Sequence, residues 1–184
     1  MGSPASHTES EWQFVALDVR PVARWLEGAN IPGYAVIAAG TKEVVDTYYD
    51  TADWRLQAAG FTCRIREKAD GAELTLKTMA EAPGGLRQRE ERNETIAGAG
   101  LEAMLAAEGD VARAVKLVAG RQSPRALFTL RQRRQLYRLL ATGDDIGEIS
   151  LDETTSPLGV EDTPVRLIRV EIEVTDVERA KRFV

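Results

Sequence analysis

Four same-sign charge pairs stand out in this 184-residue chain. Glu9 with Glu11, and Glu171 with Glu173, are acid pairs; Arg64 with Arg66, and Arg131 with Arg133, are base pairs. Members of each pair are two residues apart, the spacing that puts both side chains on one face of a β-strand. Like charges side by side on a strand destabilise it, so an external partner is expected to neutralise them. Carboxylate pairs suit a hard divalent cation, which takes oxygen ligands. Arginine pairs suit a polyanion, because the guanidinium fork matches phosphate oxygens. Acid and base on one surface point to a metal–phosphate complex. That requires the polar faces to converge on a cavity while the apolar faces pack outward against helices. Alternation alone equally supports a sheet with one face on the core and one in water.

The elements that carry these residues can be read from pattern. Asp18 caps a short helix with Pro21 in its first turn and an apolar face of Val22, Trp25 and Leu26. Residues 34–39 and 42–50 read as strands around a Gly40 turn. A short helical segment follows Asp53 and stops at Gly60. Strands over 61–68 and 72–78 are joined by an Asp70-Gly71 hairpin signal. A polar strand covers 86–96, and helical spacing predicts one helix over 100–119. Three more strands follow at about 126–140, 146–153 and 165–175, and a helix begins at 176. The fold class is therefore α+β with an antiparallel sheet or barrel. On these strands Glu148, Ser150 and Asp152 share a face, as do Arg169, Glu171 and Glu173, and Glu73, Thr75 and Lys77.

Composition sets outer limits. Hydrophobic residues are 43% and charged residues 29%, with net charge −5, which is globular composition and disfavours nonspecific nucleic-acid binding. No apolar run reaches the roughly 18 residues of a membrane span. The start, MGSPASHTES, lacks the features of a signal peptide, and residues 1–8 read as a disordered lead to a single domain at 9–184. A single cysteine, Cys63, excludes an internal disulfide and agrees with a reducing compartment, hence a cytoplasmic location.

The ordered set of motifs resembles the CYTH domain, the triphosphate tunnel metalloenzyme superfamily. Glu9-Ser10-Glu11-Trp12-Gln13 is similar to the family's Glu-x-Glu-x-Lys strand, with Gln in place of Lys. Thr47-Tyr48-Tyr49-Asp50-Thr51-Ala52-Asp53, with Leu56 and Gly60, resembles the next signature and leads into Arg64-Ile65-Arg66 and Leu74-Thr75-Leu76-Lys77. Gly84-Gly85-Leu86, followed by Arg87, Arg89 and Glu91, resembles a loop and strand of the family. Arg131-Gln132-Arg133 stands where a basic pair is expected, and a one-residue shift would align Arg134 instead. The likeness covers about residues 9–175.

The resemblance implies an eight-stranded antiparallel barrel forming an open tunnel, with helices outside. It implies Mg²⁺ or Mn²⁺ held by Glu9, Glu11, Glu171 and Glu173, with Asp152, Glu148 and Glu91 nearby. It implies phosphates held by Arg64, Arg66, Lys77, Arg89, Arg131 and Arg133. The implied activity is metal-dependent hydrolysis of inorganic triphosphate, with Glu9, Glu11 and position 13 at the catalytic centre. Alternatives are hydrolysis of an organic triphosphate such as thiamine triphosphate or a nucleotide, cyclisation of ATP, and a non-catalytic polyphosphate-binding module. A histidine-rich helical CHAD domain often follows the barrel in the family, and the resemblance permits one here in a longer chain. Gln13 keeps hydrogen bonding but loses the lysine charge, which implies a slower enzyme, a shifted substrate or a binding-only relative. Trp12, Trp25 and Trp54 are expected to pack helices onto the barrel.

Overall fold

The computed structural model describes residues 6–28, 30–79, 82, 85–156 and 164–184. Its elements are β1 (Ser6–Val15), α1 (Arg20–Gly28), β2 (Tyr34–Asp50), α2 (Arg55–Ala58), β3 (Phe61–Lys68), β4 (Gly71–Thr78), β5 (Leu86–Ile96), α3 (Leu101–Ala106), α4 (Asp110–Ala119), β6 (Arg125–Ala141), β7 (Asp144–Ser156), β8 (Val165–Val174) and α5 (Val177–Ala180). The eight strands close into a barrel in the order β1-β5-β4-β3-β2-β6-β7-β8. Every neighbouring pair is antiparallel.

The barrel is apolar on the outside and charged within. One core packs Leu26 of α1 and Ala180 of α5 against Tyr137, Leu139, Ile149, Leu151 and Ile172. The other packs Leu56, Met104, Val111 and Val115 against Ile65 and Leu74. Full burial of each such aliphatic side chain contributes about 1.5–3 kcal/mol. These outward contacts fix strand parity, and parity sends Glu9, Glu11, Arg64 and Arg66 inward.

Four local expectations are revised. The first strand begins at Ser6, so Ser6–Thr8 belong to β1 and not to a lead; residues 1–5 lie outside the described residues. The two strands around Gly40 are one strand, β2, because β6 pairs with it on both sides of a bulge at Ala38–Gly40. There the positive φ of Gly40, +98°, serves the bulge and not a turn. In the β3–β4 hairpin the loop is Ala69-Asp70, and Gly71 already pairs with Lys68. A Cβ on Gly71 would sit 2.8 Å from the Ile96 carbonyl oxygen. The helix expected over 100–119 is two. Between them the Glu94 carboxylate accepts hydrogen bonds from the backbone N–H groups of Gly109 and Ala112, at 2.9 and 3.0 Å, and starts α4 afresh.

Candidate active site

A short motif before β3 sets the site's frame. The Asp50 carboxylate accepts from the backbone N–H groups of Thr51, Leu56 and Gln57 at 2.7, 2.9 and 3.0 Å. Thr51 Oγ1 donates to Asp53 at 2.7 Å and accepts from Arg55 N–H at 3.0 Å. This knot pins α2 and delivers the chain into β3 with Arg64 and Arg66 facing inward. Tyr48-Tyr49-Asp50-Thr51 is thus largely a structural motif. The Gly84 part of the Gly-Gly-Leu loop lies outside the described residues.

Inside the barrel a cavity of about 360 Å³ is lined by Glu11, Gln13, Asp46, Arg64, Arg66, Arg87, Arg89, Arg134, Arg169 and Glu171, among others. Arg66 makes a two-point pair with Asp46 at 2.8 and 2.7 Å. Arg134 does the same with Asp152 at 2.8 and 2.6 Å, and reaches Glu171 at 2.6 Å. Arg89 bridges Glu9 at 3.1 Å and Glu11 at 2.5 Å. Lys77 binds Glu9 at 2.9 Å and also pairs with Glu91. Glu9 and Glu11 are 6% and 3% exposed, so these pairs lie out of bulk water.

Burial, then the nearby Glu171, pushes Glu11 up to about 7, with Glu9 adding to the rise against Arg89 and Lys77. Partial burial and Glu9 raise Glu173. Burial works the same way on Asp46, but Arg66 and Arg64 outweigh it and hold that carboxyl low. Burial raises Asp152 against its Arg134 partner. At Glu171 burial is outweighed by Arg134 and the Gln13 amide, and the net shift is downward. Glu91 is likewise held low, by Lys77 against burial.

Among the described residues no group of three or more carboxylate, histidine or cysteine side chains converges as a metal cage. Glu9, Glu11, Glu91, Asp152 and Glu171 are each drawn to a tunnel cation instead. The donor chemistry nevertheless fits a hard divalent ion. All the donors are carboxylate oxygens, and Glu11 and Glu173, raised first by burial and then by neighbouring carboxylates, would be returned to their charged forms by a bound cation. Glu148 faces Glu173 across β7 and β8 and adds to that charge.

Arg131 and Arg133 do not join the site. Both are exposed on the outer face of β6, where Arg133 pairs with Glu153 at 3.5 Å while 52% exposed. On β6 the buried residues Tyr137 and Leu139 pack in the outer core, which fixes odd positions outward and turns Arg134 inward. Apolar Leu130 lines the cavity and Phe128 stacks on Tyr48, so β6 has apolar residues on both faces and misleads a count by polarity. Asp46, Arg87 and Arg169 complete the site. Asp46 is signalled only by the alternation of β2, where it shares a face with Tyr48. Arg87 and Arg169 lie on faces already read as polar. Trp54 is not a packing residue for a helix. It is 47% exposed, and lines a second, largely apolar cleft of about 170 Å³ that shares Tyr48 with the tunnel.

Comparison with known proteins agrees with this architecture. The CYTH domain model matches residues 23–183. A Hippeastrum protein described as an adenylyl cyclase with dominant triphosphatase activity superposes with TM-score 0.69 and 22% identity, over 95% of this chain and 83% of that one. A Bacillus halodurans protein carrying an adenylate cyclase name gives TM-score 0.63 and 23% identity, over 96% and 86%. No protein of curated function matches by sequence. A closed eight-stranded barrel with a charged interior, matched over most of its length by the family model, makes this chain a member of the CYTH domain family.

Proposed function

We propose that the chain is a divalent-metal-dependent triphosphatase that cleaves inorganic triphosphate inside the barrel. The observation that carries this reading is a set of buried guanidinium donors. Among the described residues, Nε of Arg64, Arg89 and Arg169 is buried without a hydrogen-bond partner, and all three arginines line the same cavity. An unsatisfied buried donor costs about 1–3 kcal/mol, more when charged. A polyanion in the cavity would offer these three guanidinium groups oxygen acceptors once they turn toward it.

In the reaction, water attacks the terminal phosphorus as the bridging P–O bond breaks. Orthophosphate and diphosphate leave, and the water's two protons end on the products. Arg64, Arg66, Arg89 and Arg134 hold and neutralise the phosphate oxygens, with Lys77 behind them. Glu9, Glu11, Glu171 and Glu173 would hold Mg²⁺ or Mn²⁺, with Asp152, Glu148 and Glu91 alongside. The ion would draw charge from the phosphate and make water more acidic. Phosphoryl transfer of this kind needs mainly positioning and charge neutralisation from the protein.

Orthophosphate release from tripolyphosphate, with and without Mg²⁺ or Mn²⁺, tests the proposal. Metal-dependent turnover that collapses in Glu171→Gln is the expected result. Absence of turnover together with tight tripolyphosphate binding would make the barrel a binding module instead.

The apolar cleft favours a second reading, an organic triphosphate. Tyr48 stacks on Phe128 with ring centroids 4.9 Å apart, and Met79 is 51% exposed beside them. Trp54 holds a left-handed backbone with φ 58°, costly for a bulky residue and often found at functional sites. A flat ring would fit there while its phosphates enter the tunnel. Trp54→Ala should then raise KM for ATP or thiamine triphosphate and leave tripolyphosphate unaffected.

A cytoplasmic location agrees with the lone, buried Cys63, whose thiol is pushed up to about 12 by burial. Among the described residues no helix is long and apolar enough to cross a membrane.

A further inference from the structure

The tunnel cations divide into two kinds. Arg64, Arg66, Lys77, Arg89 and Arg134 each face a carboxylate. Arg87 and Arg169 differ, having no carboxylate pair among the described residues, and of these two Arg87 has a defined side-chain partner: its Nη1 donates to the side-chain oxygen of Gln13. The other end of the same amide is also occupied, since Gln13 Nε2 donates to Glu171 Oε1 at 2.6 Å. Strand register explains the geometry. Gln13 lies directly opposite Glu171 on β8, and its neighbour on the same face, Glu11, lies opposite Arg87 on β5. Glutamine is therefore the tie between a carboxylate on one side and a guanidinium on the other.

Few side chains can make that tie. The carboxylate demands a donor and the guanidinium demands an acceptor, and an amide supplies both without charge. Lysine would satisfy Glu171 but has no acceptor for Arg87, and would set two cations against each other. Glutamate would accept from Arg87 but repel Glu171. Methionine would fill the space and tie neither.

We propose that Gln13 is a positioning residue that aims Arg87 into the cavity, so that Arg87 supplies a phosphate-binding cation beside position 13, where the family signature has a lysine. Arg87 thus supplies from β5 a positive charge of the kind that a lysine at position 13 would supply from β1. This rests on the triphosphate reading above. It reverses the simple expectation for the departure from the signature: restoring lysine at position 13 weakens the site, because it expels Arg87.

The experiment is a cycle of Gln13→Lys, Gln13→Met, Arg87→Gln and the Gln13→Lys/Arg87→Gln double variant. Each is titrated with tripolyphosphate in Mg²⁺ and melted without ligand. Arg87→Gln should weaken binding about tenfold, as loss of a charge-assisted contact does. Gln13→Lys and Gln13→Met should each weaken it about fivefold and raise KM more than they lower kcat. The double variant should recover to within about threefold of the wild type, because the cation is restored beside a neutral partner. Gln13→Lys binding as well as or better than the wild type overturns the proposal, as does an unaffected Arg87→Gln. If the wild type binds no tripolyphosphate, the triphosphate reading fails by itself. The ligand-free melts then decide the Gln13–Arg87 tie: non-additive shifts across the cycle support it, and additive shifts overturn it.

Discussion

Arg66 and Asp46 are joined at two points inside the barrel: Nε and Nη2 of the arginine donate to the two carboxylate oxygens at 2.8 and 2.7 Å. The register of β2 and β3 sets the two residues directly opposite each other. Arg64 leans on the same carboxylate at 3.4 Å, so one buried acid restrains two cations of the cavity. Asp46→Ala should therefore leave Arg66 unpaired and Arg64 with Thr75 and the more distant Glu91, at a cost of about 3–5 kcal/mol. Denaturant unfolding should show that loss, and saturating tripolyphosphate should restore part of it. An equal loss with and without the anion would contradict the placement of phosphate at these arginines.

Stability should depend on pH in a specific sense. Glu11 stands at about 7 against an ordinary 4.5. Between those values the folded chain keeps a proton that the unfolded chain has released, so stability falls as pH rises through the window, by at most about 1.4 kcal/mol per pH unit. Glu173 and Asp152, also raised, act in the same sense. Asp46, Glu91 and Glu171 are held low, and their contribution is full above the ordinary carboxylate range and lost in acid. The melting temperature without divalent ions should peak near about pH 5 and decline toward neutrality. Mg²⁺ should flatten that decline. A melting temperature that climbs from pH 5 to pH 7 in a chelator would refute the assignment.

Asp50 offers a test of the frame rather than of the cavity. Its carboxylate serves three backbone donors, and it does not line the charged cavity. Asp50→Ala should lose roughly 1–3 kcal/mol of stability for the orphaned donors. Tripolyphosphate affinity should also drop, because β3 carries Arg64 and Arg66. Unchanged affinity at reduced stability would show that the arginines hold their places without the α2 knot.

Much of this architecture was legible in the chain, because the two halves of the pattern reinforce each other. Phe61, Cys63 and Ile65 alternate with Thr62, Arg64 and Arg66, and the structure sends the first set outward and the second inward. The same logic reads β1, β4, β7 and β8 correctly. It misleads on β6, where Phe128 and Leu130 are apolar residues of the inner face and Tyr137 and Leu139 of the outer one. Polarity there does not report direction: the resemblance sets Arg131 and Arg133 inside with Arg134 as the one-residue alternative, and the structure takes the alternative. Asp46 was missed because its strand carries no same-sign pair to draw notice. The Gln13–Arg87 tie joins residues 74 positions apart, and only the β1–β5 register brings it to view.

The central claim is that a polyphosphate lies among the inward arginines and not against the outer ones. Calorimetric titration of tripolyphosphate in Mg²⁺ tests it, using the wild type, Arg64→Gln/Arg134→Gln and Arg131→Gln/Arg133→Gln. Saturable one-to-one binding should be lost in the first variant by at least about a hundredfold, for two charge-assisted contacts, and kept within about twofold in the second. Binding that survives the inner substitutions and fails with the outer ones would contradict the account.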